Sequence, residues 1–262
     1  MILEEVVKKI EQYYPVNYAM DWDNVGLLVG DRSQKINKIF ITLDATDEVI
    51  DEAVKWGADL LLMHHPLIFR PLKRINSDDF IGRRLLKLIK NDIACYAMHT
   101  NYDVMGMADL AAGYLDMKDA EVFEVTYKNE ISGKTEGIGR CASLETPVTV
   151  KEYGEFVKKR FHIPNIKIFG EADRSVSRIA VFPGSGKSAV GEAVKQGVEL
   201  LVTGDIDHHE GIDAVAQGLV VIDAGHYGVE HIYIEDMKQF CMKHFEGAEI
   251  RTAPIEQPFW IM

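Results

Sequence analysis

Thiolate chemistry has little to work with in this chain. Its 262 residues include three cysteines, Cys95, Cys141 and Cys241, far apart and with no CxxC pair. An odd, scattered set excludes a disulfide framework or a thiolate zinc site as the organising feature. Positive charge is short as well: 29 Lys and Arg stand against 41 Asp and Glu, a formal charge of −12. No overall field therefore draws the chain toward nucleic acid or an anionic membrane surface, and nucleic acid is not an expected partner. Any anionic substrate has to be met by local positive charge or by metal. Long apolar runs are missing too. The opening segment MILEEVVKKIEQYYP mixes charges with helically spaced apolar residues, so it reads as an amphipathic helix rather than a leader or a membrane span. A cytoplasmic protein with no membrane partner is the expectation.

What the chain does have is apolar strands that end in donor residues. Leu60 to Met63 read as a strand buried on both faces, and His64, His65 and Pro66 follow directly. On a regular strand the two histidines would point to opposite faces. Pro66 gives the chain a reason to leave strand geometry there. The pair is expected just past a strand's carboxyl end, where open α/β sheets place their ligands. Two further strands end the same way: Ile93 to Met98 deliver HTNYD, 99–103, and Leu219 to Gly225 deliver His226. His99-x₃-Asp103 and His226-x₃-Glu230 share one spacing, which puts both side chains on one helical face if the helix starts at the histidine. Of nine histidines, His64, His65, His99, His208, His209 and His226 lie at or just past strand ends. His162, His231 and His244 are read as surface or packing residues.

A segment of the first half recurs in the second. Residues 39–65 set over 179–205 without a gap match at eight positions, four of them consecutive: Glu52 to Lys55 over Glu192 to Lys195. Each segment reads strand, helix, glycine stop, strand. In the second, Gly204 and Asp205 stand where the first has His64 and His65. The expected fold is therefore α/β: two related units with mixed sheets flanked by helices, and a metal site at strand carboxyl ends between them. Residues 116–135 are polar and turn-rich, and a boundary is placed in that stretch. Residues 1–124 with 225–262 form the first domain, carrying most ligands, and 125–224 the second.

Imidazole and carboxylate without thiolate suit zinc, iron or manganese. Five donors, His64, His65, Asp103, His226 and Glu230, exceed what a tetrahedral structural site needs. They suit two divalent ions, a common hydrolytic arrangement, and equally one ion whose ligands are backed by hydrogen-bond partners. His99 shares a strand end with Asp103 and is the candidate general acid/base, or else such a partner. PGSGKS, 183–188, is not a nucleoside triphosphate loop, because Val181 stands where that motif needs glycine. A strand-to-helix turn with Lys187 near the helix start is the better account, which leaves open an anion held by its amides. Arg70, Lys73 and Arg74 follow the histidine pair and can line its rim.

DNVGLLVG at 23–30, DAT at 44–46, GADLLLMHHPLIF at 57–69, HTNYD at 99–103, TGDIDHH at 203–209 and DAGHYGVE at 223–230 together resemble the Nif-three-like dinuclear metal-centre proteins, also called GTP cyclohydrolase I type 2 homologues. The resemblance implies that the five donors are the ligands, that Glu230 bridges the two ions, and that six copies form a hollow ring. It implies a metal-dependent hydrolase acting on a purine nucleotide or similar small molecule. The alternative is a metal-binding regulatory or assembly protein without turnover. This chain has Gly228 where Thr or Ser is usual in such proteins.

Overall fold

The computed structural model describes residues 1–262 and divides into two compact units. One comprises Met1–Tyr102 with Tyr233–Glu256, the other Asp103–Ile232 with Gln257–Met262. The first half of the chain forms α1 (Leu3–Tyr13), β1 (Gly26–Val29), β2 (Lys38–Thr42), α2 (Asp47–Trp56), β3 (Leu60–Met63), α3 (Phe80–Lys90), β4 (Ala94–Ala97), α4 (Thr100–Tyr102) and α5 (Ala108–Tyr114). There follow β5 (Glu121–Lys128), β6 (Thr135–Thr149), α6 (Val150–Phe161), β7 (Lys167–Phe169), β8 (Ser175–Ser185), α7 (Ala189–Lys195), β9 (Leu200–Gly204), α8 (His208–Ala216), β10 (Val220–Asp223) and α9 (His226–Glu230). The chain ends with α10 (Ile232–His244) and β11 (Glu249–Thr252).

The first unit holds a five-stranded sheet in the order β1-β4-β3-β2-β11, parallel except for β1 on β4. Its central strands are buried throughout, as near-continuous apolar runs in a parallel sheet must be. On one face Phe40, Leu61, Met63, Cys95 and Ala97 pack against Ile50 and Ala53 of α2 and Leu85 and Leu88 of α3. Leu85 and Leu88 carry the contact, three residues apart on one face of α3, while Ile89 on the other side is 48% exposed. The second unit holds a six-stranded mixed sheet, β5-β6-β8-β9-β10-β7, in which β8, β9 and β10 run parallel.

The internal repeat is structural. Ile39 pairs with Leu60 and Phe40 with Leu61; at the equivalent positions Ile179 pairs with Leu200 and Ala180 with Leu201. The helix stops are the same device, with Gly57 at φ +75° and Gly197 at φ +68°, left-handed geometry that glycine adopts without a Cβ penalty. One acid serves both copies in the same way. Asp59 Oδ2 accepts hydrogen bonds from the amides of Asn37 and Lys38 at 2.7 and 2.9 Å, and Glu199 Oε2 from those of Ser177 and Arg178 at 2.6 and 3.0 Å. Each acid closes the entry of the first strand onto the start of the second. Two copies of one βαβ unit therefore organise the two sheets.

Residues 116–135, read as turn-rich, carry turns on both sides of one strand, β5. β5 and the start of β6 form an antiparallel hairpin whose turn is held by the Asn129 side chain, which accepts from the amides of Ile131 and Ser132. Phe123 is the one buried residue of β5, so the strand sits at the sheet edge without the apolar alternation that would reveal it.

Candidate metal centre

In the first unit, the histidine pair continues the β2–β3 ladder for two residues. The amides of His64 and His65 donate to the carbonyls of Thr42 and Leu43 at 3.3 and 3.0 Å. The chain bends there, and both rings come to one side, 4.9 Å apart. His99, just past β4, joins them: one ring nitrogen from each of His64, His65 and His99 lies within 4.8 Å of the others. The ends of β3 and β4 thus bring these three histidines together.

Their orientation is fixed from behind. His64 Nδ1 lies 2.6 Å from the carbonyl of Met98, His65 Nδ1 2.8 Å from Asp44 Oδ1, and His99 Nδ1 2.8 Å from Asp23 Oδ1. Each partner is an acceptor, so each Nδ1 donates its hydrogen, and each neutral ring keeps its lone pair on Nε2. That is the tautomer a metal-ligating imidazole uses, held by the partner that raises its basicity. Asp23 is itself over-determined. Burial pushes its carboxyl up, but hydrogen bonds from His99 and Thr100 outweigh this and hold it at about 2. It is therefore a carboxylate at neutral pH.

In the second unit, β10 ends at Asp223 and Gly225, at φ +79°, turns the chain into α9, whose first residue is His226. The helix thus begins at the histidine, the condition under which the His226-x₃-Glu230 spacing puts both side chains on one face. His226 and Glu230 stand one turn apart on one face, and His226 Nε2 lies 3.0 Å from Glu230 Oε2. His226 Nδ1 donates to Asp205 Oδ2 at 2.7 Å. With Nδ1–H so committed, a neutral His226 turns a lone pair toward a carboxylate oxygen. That approach is satisfied by an imidazolium or by a cation that takes both donors. Asp103 opens a π-helical turn, Asp103–Met107, and brings a carboxylate oxygen within 4.8 Å of one from Glu230. Both acids are buried. Two buried carboxylates at that distance repel unless positive charge sits with them. The second unit's donors thus fit a cation, as do the three imidazoles of the first.

The family model Duf34/NIF3 (NGG1p interacting factor 3) matches residues 1–258. The chain belongs to that family. Among curated relatives, a GTP cyclohydrolase 1 type 2 homolog of Clostridium perfringens is 38% identical, over 88% of this chain and 87% of its own. Among solved structures, a Bacillus cereus protein related to NIF3 superposes with a TM-score of 0.90 at 25% identity, covering 100% of this chain and 99% of that one. Reduced HcgD from Methanocaldococcus jannaschii superposes with a TM-score of 0.83 at 30% identity, covering 96% and 97%.

In this Duf34/NIF3 chain the remaining histidines stand apart from the donor groups. His208 and His209 are exposed at the start of α8, where Asp207 accepts from the amides of His209 and Glu210. His231 is buried, its ring stacked on Tyr227, and His244 packs on Tyr13 and Phe240, as expected of packing residues. Lys187 pairs with Asp207 at 2.8 Å and Glu210 at 3.0 Å at the start of α8, so its charge is spent on those acids rather than offered to an anion. Arg70, Lys73 and Arg74 are exposed on the loop after the histidine pair. Sequence reasoning passed over Asp44, Asp205 and the Met98 carbonyl. A signal existed for two of them: Asp44 closes β2 at the same strand-end level as the histidines, and Asp205 occupies the repeat position of His65. No helix is long and apolar enough to cross a membrane.

Proposed function

We propose that this protein is a dinuclear-metal hydrolase acting on a nucleotide-like substrate, with His64, His65, Asp103, His226 and Glu230 holding two divalent ions and Glu230 shared between them. The observation that carries the reading is the set of locked tautomers: His64, His65 and His226 each commit Nδ1 to an acceptor and keep Nε2 for an electrophile. The paired buried carboxylates of Asp103 and Glu230 supply the anionic half of the donor set. The donor set suits zinc, iron or manganese. A cytoplasmic ring of six copies belongs to the same reading.

When bound, two such ions acidify water and polarise the bond it attacks. The protein's own residues do the rest. His99 Nε2 takes the proton, and Asp23, ionised behind Nδ1, favours the imidazolium that forms, as the carboxylate of a catalytic triad does. Arg70 and Lys73 draw a phosphate toward the rim. The curated relatives' name, GTP cyclohydrolase 1 type 2 homolog, makes purine nucleotides the first substrates to test.

Protein purified without chelator should contain about two divalent ions per chain by elemental analysis, and GTP should show a metal-dependent change in ultraviolet absorbance. His99→Gln should keep the ions and lose most turnover, about 10²–10⁴-fold for a general base. Absence of turnover of GTP, other nucleotides and simple phosphate esters by fully metallated protein would favour a metal-binding regulatory role. Each unit has its own packed sheet, so chelation should leave the α/β circular dichroism intact, unlike a domain whose metal binding is its folding energy. Cooperative unfolding on metal removal would contradict this.

A further inference from the structure

Two aromatic side chains remain exposed beside the histidine cluster of the first unit. Trp22 is 59% exposed and Phe69 48%. Their ring centroids lie 5.9 Å apart with planes at 62°, and each meets His99 edge to face, at 6.0 and 6.5 Å. None of the three contacts is a parallel stack. Isolated exposed aromatics are common and need no explanation. These two differ because the backbone beneath them is fastened on both sides. Asp23, next to Trp22, accepts from His99 Nδ1, from the Thr100 amide at 3.0 Å and from Thr100 Oγ1 at 2.5 Å. The amide of Met20 donates to the same Thr100 hydroxyl at 2.9 Å. Asn24 Nδ2 donates to the carbonyl of Ile68, next to Phe69, at 2.5 Å. The two loops are thus tied to each other and to the His99 turn, and what they hold out to solvent is an open corner of two rings.

We propose that Trp22 and Phe69 form a platform for a planar heterocycle, and that ring stacking there selects the substrate of the site; this rests on the nucleotide reading above and adds the residues that recognise the base. One ring offers a face for offset stacking while the other offers an edge, the pairing that aromatic quadrupoles favour. Stacking of this kind accepts any flat base, so the class selected is a planar aromatic ring carrying an anionic tail. Arg70, adjacent to Phe69 and exposed, supplies the counter-charge for the tail.

The test is binding to the metallated full chain, by tryptophan emission and calorimetry, with GMP, flavin mononucleotide and ribose 5-phosphate as probes. At least one of the two ring-bearing probes should bind, quench emission and lose about tenfold or more in affinity in Trp22→Ala and Phe69→Ala, the range of base–aromatic stacking. Trp22→Phe should recover most of that loss. Ribose 5-phosphate should bind weakly and equally to wild type and these variants, which must keep wild-type metal content and circular dichroism. Equal affinity for GMP and ribose 5-phosphate, affinities in Trp22→Ala within about twofold of wild type, or no binding of either ring probe would overturn the proposal. So would a change of oligomeric state in Trp22→Ala without loss of ring binding, since the aromatics would then be covered by a second copy. The two readings fail separately. Metal-dependent turnover of GTP with an unchanged KM in Trp22→Ala removes the platform and keeps the hydrolase. Trp22-dependent ring binding without turnover does the reverse.

Discussion

On the proposed two-ion reading, Glu230→Ala should strip the protein of most of both ions rather than one. Glu230 stands where three constraints meet. Its Oε2 faces His226 Nε2 at 3.0 Å, and one of its oxygens lies within 4.8 Å of an Asp103 oxygen. A Cβ added at Gly184, itself at φ +79°, would sit 2.6 Å from Oε1. The backbone of β8 therefore leaves room for this carboxylate and for little else. Removing a partner behind a ligand lowers metal affinity about 10–100-fold; losing a ligand shared by two ions should exceed that for each of them. Elemental analysis of wild type and Glu230→Ala, with circular dichroism to confirm folding, gives the answer. A variant that keeps one full equivalent would show that Glu230 serves a single ion.

The strand ends were legible because burial on both faces writes a continuous apolar run, and the residue after the run stands out by contrast. LLLM before His64 and ACYAM before His99 are runs of that kind. The repeat was legible because the helix of each βαβ copy, ending in the same glycine stop, preserves Glu-Ala-Val-Lys. The orienting shell was not legible. Asp44 and Asp205 are ordinary turn residues by composition, and what they do depends on which imidazole the fold brings to them. The Met98 carbonyl has no sequence signature at all, since every residue carries one. Nor does spacing disclose the π-helical turn at Asp103, where an i, i+4 reading assumes a regular helix. The edge strand β5 escaped for want of a second buried residue.

Gly204→Ala should damage the second unit more than its single added methyl suggests. Gly204 occupies the repeat position of His64, and the two copies use that position differently. In the first unit the side chain at this level reaches across to the next strand's exit, His64 Nδ1 donating to the carbonyl of Met98. In the second, the exit itself closes in: a Cβ on Gly204 would lie 2.5 Å from His226 N and 2.7 Å from Gly225 C and His226 Cα. All three are backbone atoms, so no rotamer change relieves the clash. The loss of stability should be about 1–3 kcal/mol or more by overpacking, read as a lower urea midpoint. Relief by movement of the Gly225–His226 turn would carry His226 away from Asp205 and Glu230, so metal content should fall as well. Gly191→Ala is the control, because α7 places nothing within 4 Å of the added methyl there, and helix propensity makes that change neutral or stabilising. A Gly204→Ala protein with wild-type urea midpoint and full metal content would mean that the turn into α9 can shift without disturbing its histidine. The second copy's lack of a histidine pair would then need a cause other than the close passage of its own backbone.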